Sequence, residues 1–412
     1  MMDQIRPPRR LAGAEGRGFG IRILTGVYYI MMEDCVAGFL KNGAEVLYPG
    51  VRRSAEDPRI LYSEDAFRKT LIEGRFDVFF TINAECLDVD GLLIRELIRQ
   101  KKRIVIWYVD DPFNPFAPWN VESKLPAAAS DYEGLFLFCI DERFVEKLKS
   151  RGFANVFYLP HATSLAWAQS VRPVMQPPSA LATHVSHLDL ENLPRFEEML
   201  TLFPEPVQQK VRDFVDLRLE NLCLSWEEFA RDAGLPEIAP DAANRLEHTA
   251  NRISTIRTKI HLVRLIEKMG INVYGFKDWL QVLKNPASYK CHVPYYHGLR
   301  AVYQSSFITL NITHVQLSVG VNQRVLDVPA GGGFLISDYR KSIREMFPRE
   351  VIPLYARPQD LLRQIEAVVK KPESRSAQHE ALMETIRRRH TYDHRMQTIL
   401  DRVTPMLRSQ TS

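Results

Sequence analysis

Apolar residues recur along the chain in short continuous runs, separated by stretches with one-sided helical spacing. The runs at residues 21–24, 44–47, 77–82, 103–109, 135–139 and 156–159 are of strand length. Between them, residues 35–42, 64–73, 91–100 and 142–151 repeat apolar positions every three or four residues. Continuous apolar strands alternating with amphipathic helices predict a parallel sheet covered on both faces. Residues 21–170 therefore read as one doubly wound α/β domain.

A proline-rich segment at 173–179 (PVMQPPS) predicts a linker within 171–189, a span that also holds the first strand of a second domain. A polar helical stretch, broken by prolines and a glycine, fills 190–267 and reads as an insertion. The alternation then resumes over 268–375, with strands at 271–274, 308–312 and 334–337 and helices at 296–304, 323–330 and 361–369. Residues 376–412 predict a helical tail. Residues 1–20 are rich in Arg, Pro and Gly without the apolar core of a secretory signal, and predict a disordered arm. Open α/β sheets bind ligands at the carboxyl ends of their strands, so two such domains predict a site in the cleft between those ends.

With 412 residues, 45% hydrophobic and 25% charged, the chain has ample apolar material for two cores. A net charge of +4 gives no support to nucleic-acid binding. The basic run at 387–390 reads as a solvated helix face, with peripheral contact to an anionic membrane as its alternative. Cys35, Cys86, Cys139, Cys223 and Cys291 show no metal-ligand spacing, which argues against zinc or a disulfide framework and predicts free thiols in a reducing compartment. No apolar run approaches the ~20 residues of a membrane helix. These features predict a cytoplasmic protein; they say nothing of its oligomeric state.

The most informative segment is 310–338, LNITHVQLSVGVNQRVLDVPAGGGFLISD. A strand ends at Asn311, and a loop containing Gly320 leads to Asn322, Gln323 and Arg324, which open a helix carrying Asp327. The helix closes in Pro329-Ala330-Gly331-Gly332-Gly333. Glycines permit close backbone approach, and N–H groups at a helix start attract an anion. The forked guanidinium of Arg324 suits a phosphate, and Asp327, one turn on, can accept from the vicinal hydroxyls of a ribose. The plainer alternative is a glycine helix cap with an Arg–Asp surface pair. The run is neither GxGxxG nor GxxxxGK[ST].

Asp110 and Asp111 end an apolar strand just before Pro112. A carboxylate there can take a hydroxyl proton, or the two can form a turn before proline. His161 follows Leu159-Pro160 and reads as a proton carrier or phosphate donor at the rim of the cleft, or as a core histidine. His292, His297 and His314 lie among the second-domain loops. Asp88-Val89-Asp90 has the form of a metal-binding DxD, but Asp90 directly precedes an apolar helix start and reads as its N-cap, so no metal is implied.

The segment 303–338 resembles the C-terminal domain of the CgeB-like, group 1 glycosyltransferases of the GT-B fold. That pattern is matched at Asn311, Gly320, Asn322, Arg324, Asp327, Pro329, Ala330, Gly332 and Asp338. Val273-Tyr274-Gly275, residues 352–354, WYVDDP at 107–112 and YLPH at 158–161 look like the same family, so the resemblance covers roughly 75–370. The chain departs from it at 183–187 (THVSH), where a Phe-Val-Gly-Ser-type turn is usual. It departs again at Asp327, where Glu is commoner, and at Gly26-Val27-Tyr28, which lacks a glycine pair. The resemblance implies two facing Rossmann-like domains, the first for acceptor and the second for donor. It implies metal-independent transfer of a sugar from a UDP-, GDP- or dTDP-sugar to a hydroxyl acceptor such as a glycan, a surface polysaccharide or a glycosylated protein or lipid. Carried over by position, it implies donor contacts at Gly275, Val293, Asn311, Asn322, Arg324, Asp327, Gly331 and Gly332. The implied catalytic residues are Asp110, Asp111, His161 and Arg324. Two alternatives remain: a non-catalytic sugar-nucleotide-binding scaffold of polysaccharide assembly, and a nucleotide-sugar epimerase of GT-B-like architecture.

Overall fold

The computed structural model describes residues 9–11, 20–26, 30–48, 52–53, 60–61, 64–169, 180–296, 298–348 and 351–408. They divide into two compact units, Met1–Leu165 with Arg389–Ser412, and Ala166–Arg388.

The strands of the first unit are β1 (Arg9–Leu11), β2 (Arg22–Thr25), β3 (Glu45–Tyr48), β4 (Arg52–Arg53), β5 (Ile60–Leu61), β6 (Val78–Ile82), β7 (Arg103–Tyr108), β8 (Leu135–Cys139) and β9 (Val156–Tyr158). Seven form one sheet in the order β1-β3-β2-β6-β7-β8-β9, while β4 and β5 pair with each other. All neighbours in the large sheet are parallel except β1 on β3. The central strands β6, β7 and β8 are buried along their whole length, as expected for strands covered on both faces.

The expected disordered arm is corrected at Arg9–Leu11, which ladders onto the exposed edge of β3. Three residues are too few to carry a period, and an open edge accepts such a strand. The rest of that arm lies outside the described residues.

The C-terminal helix Tyr392–Arg408 completes the first unit by packing on the helix Met32–Lys41. It buries Met396, Ile399, Leu400 and Val403. The predicted tail is thus split, because the helix Ser374–Arg389 ends where the second unit ends. Where the chain re-enters the first unit, Thr163 bridges Thr391, and Arg395 donates to the carbonyls of Pro160 at 2.7 Å and His161 at 2.9 Å.

The second unit holds β10 (Ala182–Val185), β11 (Ile271–Tyr274), β12 (Tyr289–Lys290), β13 (Ile308–Asn311), β14 (Leu335–Asp338) and β15 (Leu354–Tyr355). Its sheet runs β12-β11-β10-β13-β14-β15, parallel throughout. Adjacent residues of β14 point to opposite faces, Ile336 into one core and Leu335 into another. The insertion forms four helices, Leu193–Leu200, Glu205–Glu220, Trp226–Asp232 and Pro240–Ile266, all packed on the first of these faces. The linker at 173–179 lies outside the described residues. Chain order reverses between β10 and β13, which marks the crevice beyond their carboxyl ends as the ligand position.

Candidate functional site

At the carboxyl end of β13, the buried Asn311 side chain organises the crevice. Its Oδ1 accepts from Asn322 at 2.9 Å and from the Arg324 guanidinium at 2.6 Å. Its amide donates to Ser337 at 3.0 Å, and the Tyr355 hydroxyl donates to its carbonyl at 2.5 Å. Asp338, ending β14, accepts from the Thr313 hydroxyl and amide at 2.8 and 3.0 Å and pairs with Arg340 at 2.9 Å.

Arg324 is thereby fixed by a neutral amide; no carboxylate among the described residues lies within ion-pair distance of it. Burial pushes its pKa down.

A second buried cation joins it. Lys259, on the helix Pro240–Ile266, donates to the carbonyl of His187 at 2.6 Å, just past the carboxyl end of β10. Burial, with Arg324 and Arg252 nearby, pulls its pKa down to about 7. Arg252 lies two turns earlier on the same helix, paired with Asp189 at 3.5 Å and 3.3 Å from His314. His184 and His314 are held well below the usual imidazole range, chiefly by burial and then by these cations, so both are neutral at pH 7. Thr255, on the same helix, accepts from the amide of Val315 at 3.0 Å and so ties it to the loop after β13.

A buried ammonium and a buried guanidinium without carboxylate partners are costly to fold. Their natural complement is a multiply charged anion bound between β10 and β13. Sequence reading missed Lys259 and Arg252 altogether. The available signal was a 27-residue helix whose buried face carries Asn251, Ser254, Thr255, Thr258 and Lys259, where an ordinary packed helix would be apolar.

The helix Arg324–Ala330 spans seven residues and contains Pro329, and its Val325, Leu326 and Asp327 amides bond to the carbonyls of Asn322 and Gln323 at 3.0–3.2 Å. Arg324 and Asp327 do not form a surface pair: Arg324 turns to Asn311, and Asp327, 2% exposed, accepts from the Tyr295 hydroxyl at 2.9 Å. Gln323 donates to that hydroxyl at 2.6 Å, and the Tyr295 ring stacks on Trp167 with centroids 5.4 Å apart. The Asp327 carboxylate thus already holds a hydroxyl, the group a ribose would present.

Glycines let backbones crowd here. Gly332 has φ +94°. A Cβ on Gly331 would lie 3.0 Å from the Asp327 carbonyl, and one on Gly275 would overlap the Ser186 carbonyl. Val293 is half-buried against the core beneath the Arg324 helix.

In the first unit the chain order reverses between β2 and β6. The turn after β6 holds Asn83, Ala84 and Cys86 at φ +51°, +53° and +67°, a left-handed conformation that side chains resist. The turn presents Asn83, which is fully buried. Its Oδ1 accepts from the amides of Val109 and Asp110 at 2.8 and 3.3 Å, and its amide donates to Asp110 Oδ2 at 2.9 Å. Asp111 instead accepts from the Phe113 amide at 2.9 Å, the turn-forming role. The two carboxylates therefore have separate jobs.

The remaining assignments change. His161, expected at a rim, is 6% exposed against Trp107, with burial and Arg395 driving its pKa to about 3, so its imidazole is uncharged near neutrality. Asp88, not Asp90, caps the helix Leu92–Arg99, accepting from Leu92 and Leu93 at 2.7 and 2.8 Å. The basic run is not one solvated face: Arg387 donates to the Ala168 carbonyl at 2.8 Å, and His390 is buried beside Arg395. His297 lies outside the described residues. Among the described residues no group of three or more His, Cys, Asp or Glu side chains converges as metal ligands, and no helix is long and apolar enough to cross a membrane.

No curated protein matches the sequence. Residues 256–401, from the helix carrying Lys259 to the C-terminal helix, match the family described as glycosyl transferase-like. Among solved structures, sucrose-phosphate synthase from Thermosynechococcus elongatus superposes with a TM-score of 0.56 at 9% identity, covering 94% of this chain and 100% of that one. The UDP-forming α,α-trehalose-phosphate synthase from Burkholderia xenovorans gives 0.47 at 12% identity, over 93% of this chain and 98% of that one. The chain has the GT-B fold of the sucrose-phosphate synthase, and its residues 256–401 carry a glycosyl transferase-like sequence.

Proposed function

We propose that the chain transfers a sugar from a nucleotide-sugar donor to a hydroxyl acceptor without a metal ion. The observation that carries this reading is the pair of buried cations, Lys259 and Arg324, set at the carboxyl ends of β10 and β13 with no carboxylate at ion-pair distance among the described residues. In sugar transfer a nucleoside diphosphate leaves the anomeric carbon and gains negative charge, while the sugar takes on oxocarbenium character. Preorganised cations lower that barrier because their attraction grows as the bond breaks. Arg324 and Lys259 receive the diphosphate. Asp327 exchanges the Tyr295 hydroxyl for a ribose hydroxyl. Asp110, oriented by Asn83, takes the proton of the acceptor hydroxyl. Acceptors in keeping with this reading are glycans, polysaccharide ends and glycosylated proteins or lipids, as in the CgeB-like group.

Calorimetric titration of UDP, GDP and dTDP into the full chain, with and without a chelator, tests the donor half. One of the three should bind with an affinity unchanged within about threefold by the chelator. A loss of tenfold or more, about 1.4 kcal/mol, contradicts the metal-independent reading.

A further inference from the structure

The Arg324 guanidinium is aimed by the Asn311 amide, and an amide can sit either way round. Its oxygen suits a guanidinium and its NH2 group suits a carboxylate. Turned over, Asn311 would set its NH2 group against the donors of Arg324 and Asn322. Asp338 stands at the other end of the amide. Its Oδ1 lies 3.4 Å from the Asn311 nitrogen and also accepts from the Thr313 amide and hydroxyl. With a cation at one end and an anion at the other, the oxygen of Asn311 faces Arg324.

Asp338 is itself held from behind. Its Oδ2 pairs with Arg340, whose guanidinium also donates to the Leu222 carbonyl at 3.4 Å. The Arg218 guanidinium donates to that same carbonyl. Leu222 lies in the turn between the insertion helices Glu205–Glu220 and Trp226–Asp232. Its amide donates to the Ala356 carbonyl at 2.9 Å, next to Tyr355, whose hydroxyl holds the backbone carbonyl of Asn311. The side chain and the backbone of Asn311 are thus tied, by separate routes, to one residue of the insertion. Arg218, Arg340 and Asp338 are all buried. Packing for stability alone favours apolar side chains over buried charges in such a place.

We infer that Asp338 is a positioning residue that aims the Arg324 guanidinium, and that the Leu222 turn of the insertion is the abutment that holds Asp338 through Arg340. This inference rests on the donor reading above and gives the helical insertion a part in it. Asp338 does not touch the diphosphate; it acts through Asn311. A buried hydrogen-bonded network of this kind fixes the side chain that meets the ligand.

The test is calorimetry of inorganic pyrophosphate on the full chain, comparing wild type, Asp338→Asn and Arg340→Lys below their melting transitions. Charge and positioning forecast opposite results. Asp338→Asn removes a negative charge near the anion, which by Coulomb attraction alone tightens binding. Positioning predicts weaker binding, by about fivefold or more, because Asn311 loses its orientation. Arg340→Lys keeps the charge but gives up the fork that reaches Asp338 and Leu222 together. It should also weaken pyrophosphate, whereas charge alone leaves the affinity as it was. Tighter binding in Asp338→Asn overturns the inference. So does a lowered Tm with wild-type affinity in both variants, which assigns the cluster to stability. If Asp338→Asn does not fold, Arg340→Lys decides: weakened binding supports positioning, and wild-type affinity overturns it. A wild type that does not bind pyrophosphate overturns the donor reading itself.

Discussion

At the scale of single residues, the buried cations Lys259 and Arg324 have no carboxylate at ion-pair distance among the described residues. Lys259, lowered to about 7 by burial and the neighbouring guanidinia, is half protonated near neutrality. An unfolded lysine keeps its proton to about pH 10.4. Between these values the unfolded chain binds more protons, so this group's cost to folding is full below pH 7 and fades as pH rises toward 10. Lys259→Met should therefore raise Tm at pH 6, by about 2 °C or more, while abolishing the gain from anion binding. A bound diphosphate restores the proton. Pyrophosphate affinity should accordingly fall by nearly tenfold per pH unit above pH 7, with proton uptake visible as buffer-dependent binding heats. Flat affinity from pH 7 to 9 would remove Lys259 from the site. Asp110→Asn should slow sugar transfer by about a hundredfold or more with donor affinity unchanged, because a general base acts only in the chemical step. Asp111→Asn should act on stability alone, through the turn before Pro112. Arg324 and Asp327 stand out in the sequence because motif and chemistry coincide there, and the structure buries both. Lys259 does not, because its meaning depends on a long helix packing a polar face inward.

At the scale of elements, caps and turns decide what the strands present. Most strands and helices were legible from period and length: β8 and β11 have the predicted bounds, and the helix Glu64–Glu73 does too. What escaped were elements of two to four residues, such as β1, β12 and the helix Val121–Lys124, which are set by neighbours rather than by their own pattern. The cap of Leu92–Arg99 escaped for a related reason. Gly91 adopts φ +65°, which turns the chain so that Asp88 reaches the first amides in place of Asp90. Asp88→Ala should cost about 1 kcal/mol, read as a lowered unfolding midpoint, and Asp90→Ala should cost almost nothing. Equal effects would contradict the assignment. The left-handed turn at Asn83–Cys86 stores strain next to Asp110, which sequence periodicity cannot reveal.

At the scale of the whole molecule, the alternation of strand and helix is enough to read two doubly wound units with mainly parallel sheets. The return of the C-terminal helix to the first unit was not legible, since nothing local in residues 392–408 says which core receives Met396 and Leu400. A chain ending at residue 388 should lose the cooperative unfolding of its first unit; an unchanged transition would contradict that packing. The central claim is sugar transfer driven by the cations between β10 and β13. Its most direct test is the release of nucleoside diphosphate from a panel of UDP-, GDP- and dTDP-sugars incubated with the full chain, with water as the acceptor. The account predicts slow release from at least one donor, with the freed sugar appearing in equal amount. In Arg324→Ala, release should be slower by roughly 10- to 150-fold while the protein stays folded. Binding without release, an epimerised donor, or an Arg324→Ala protein as fast as wild type would contradict it.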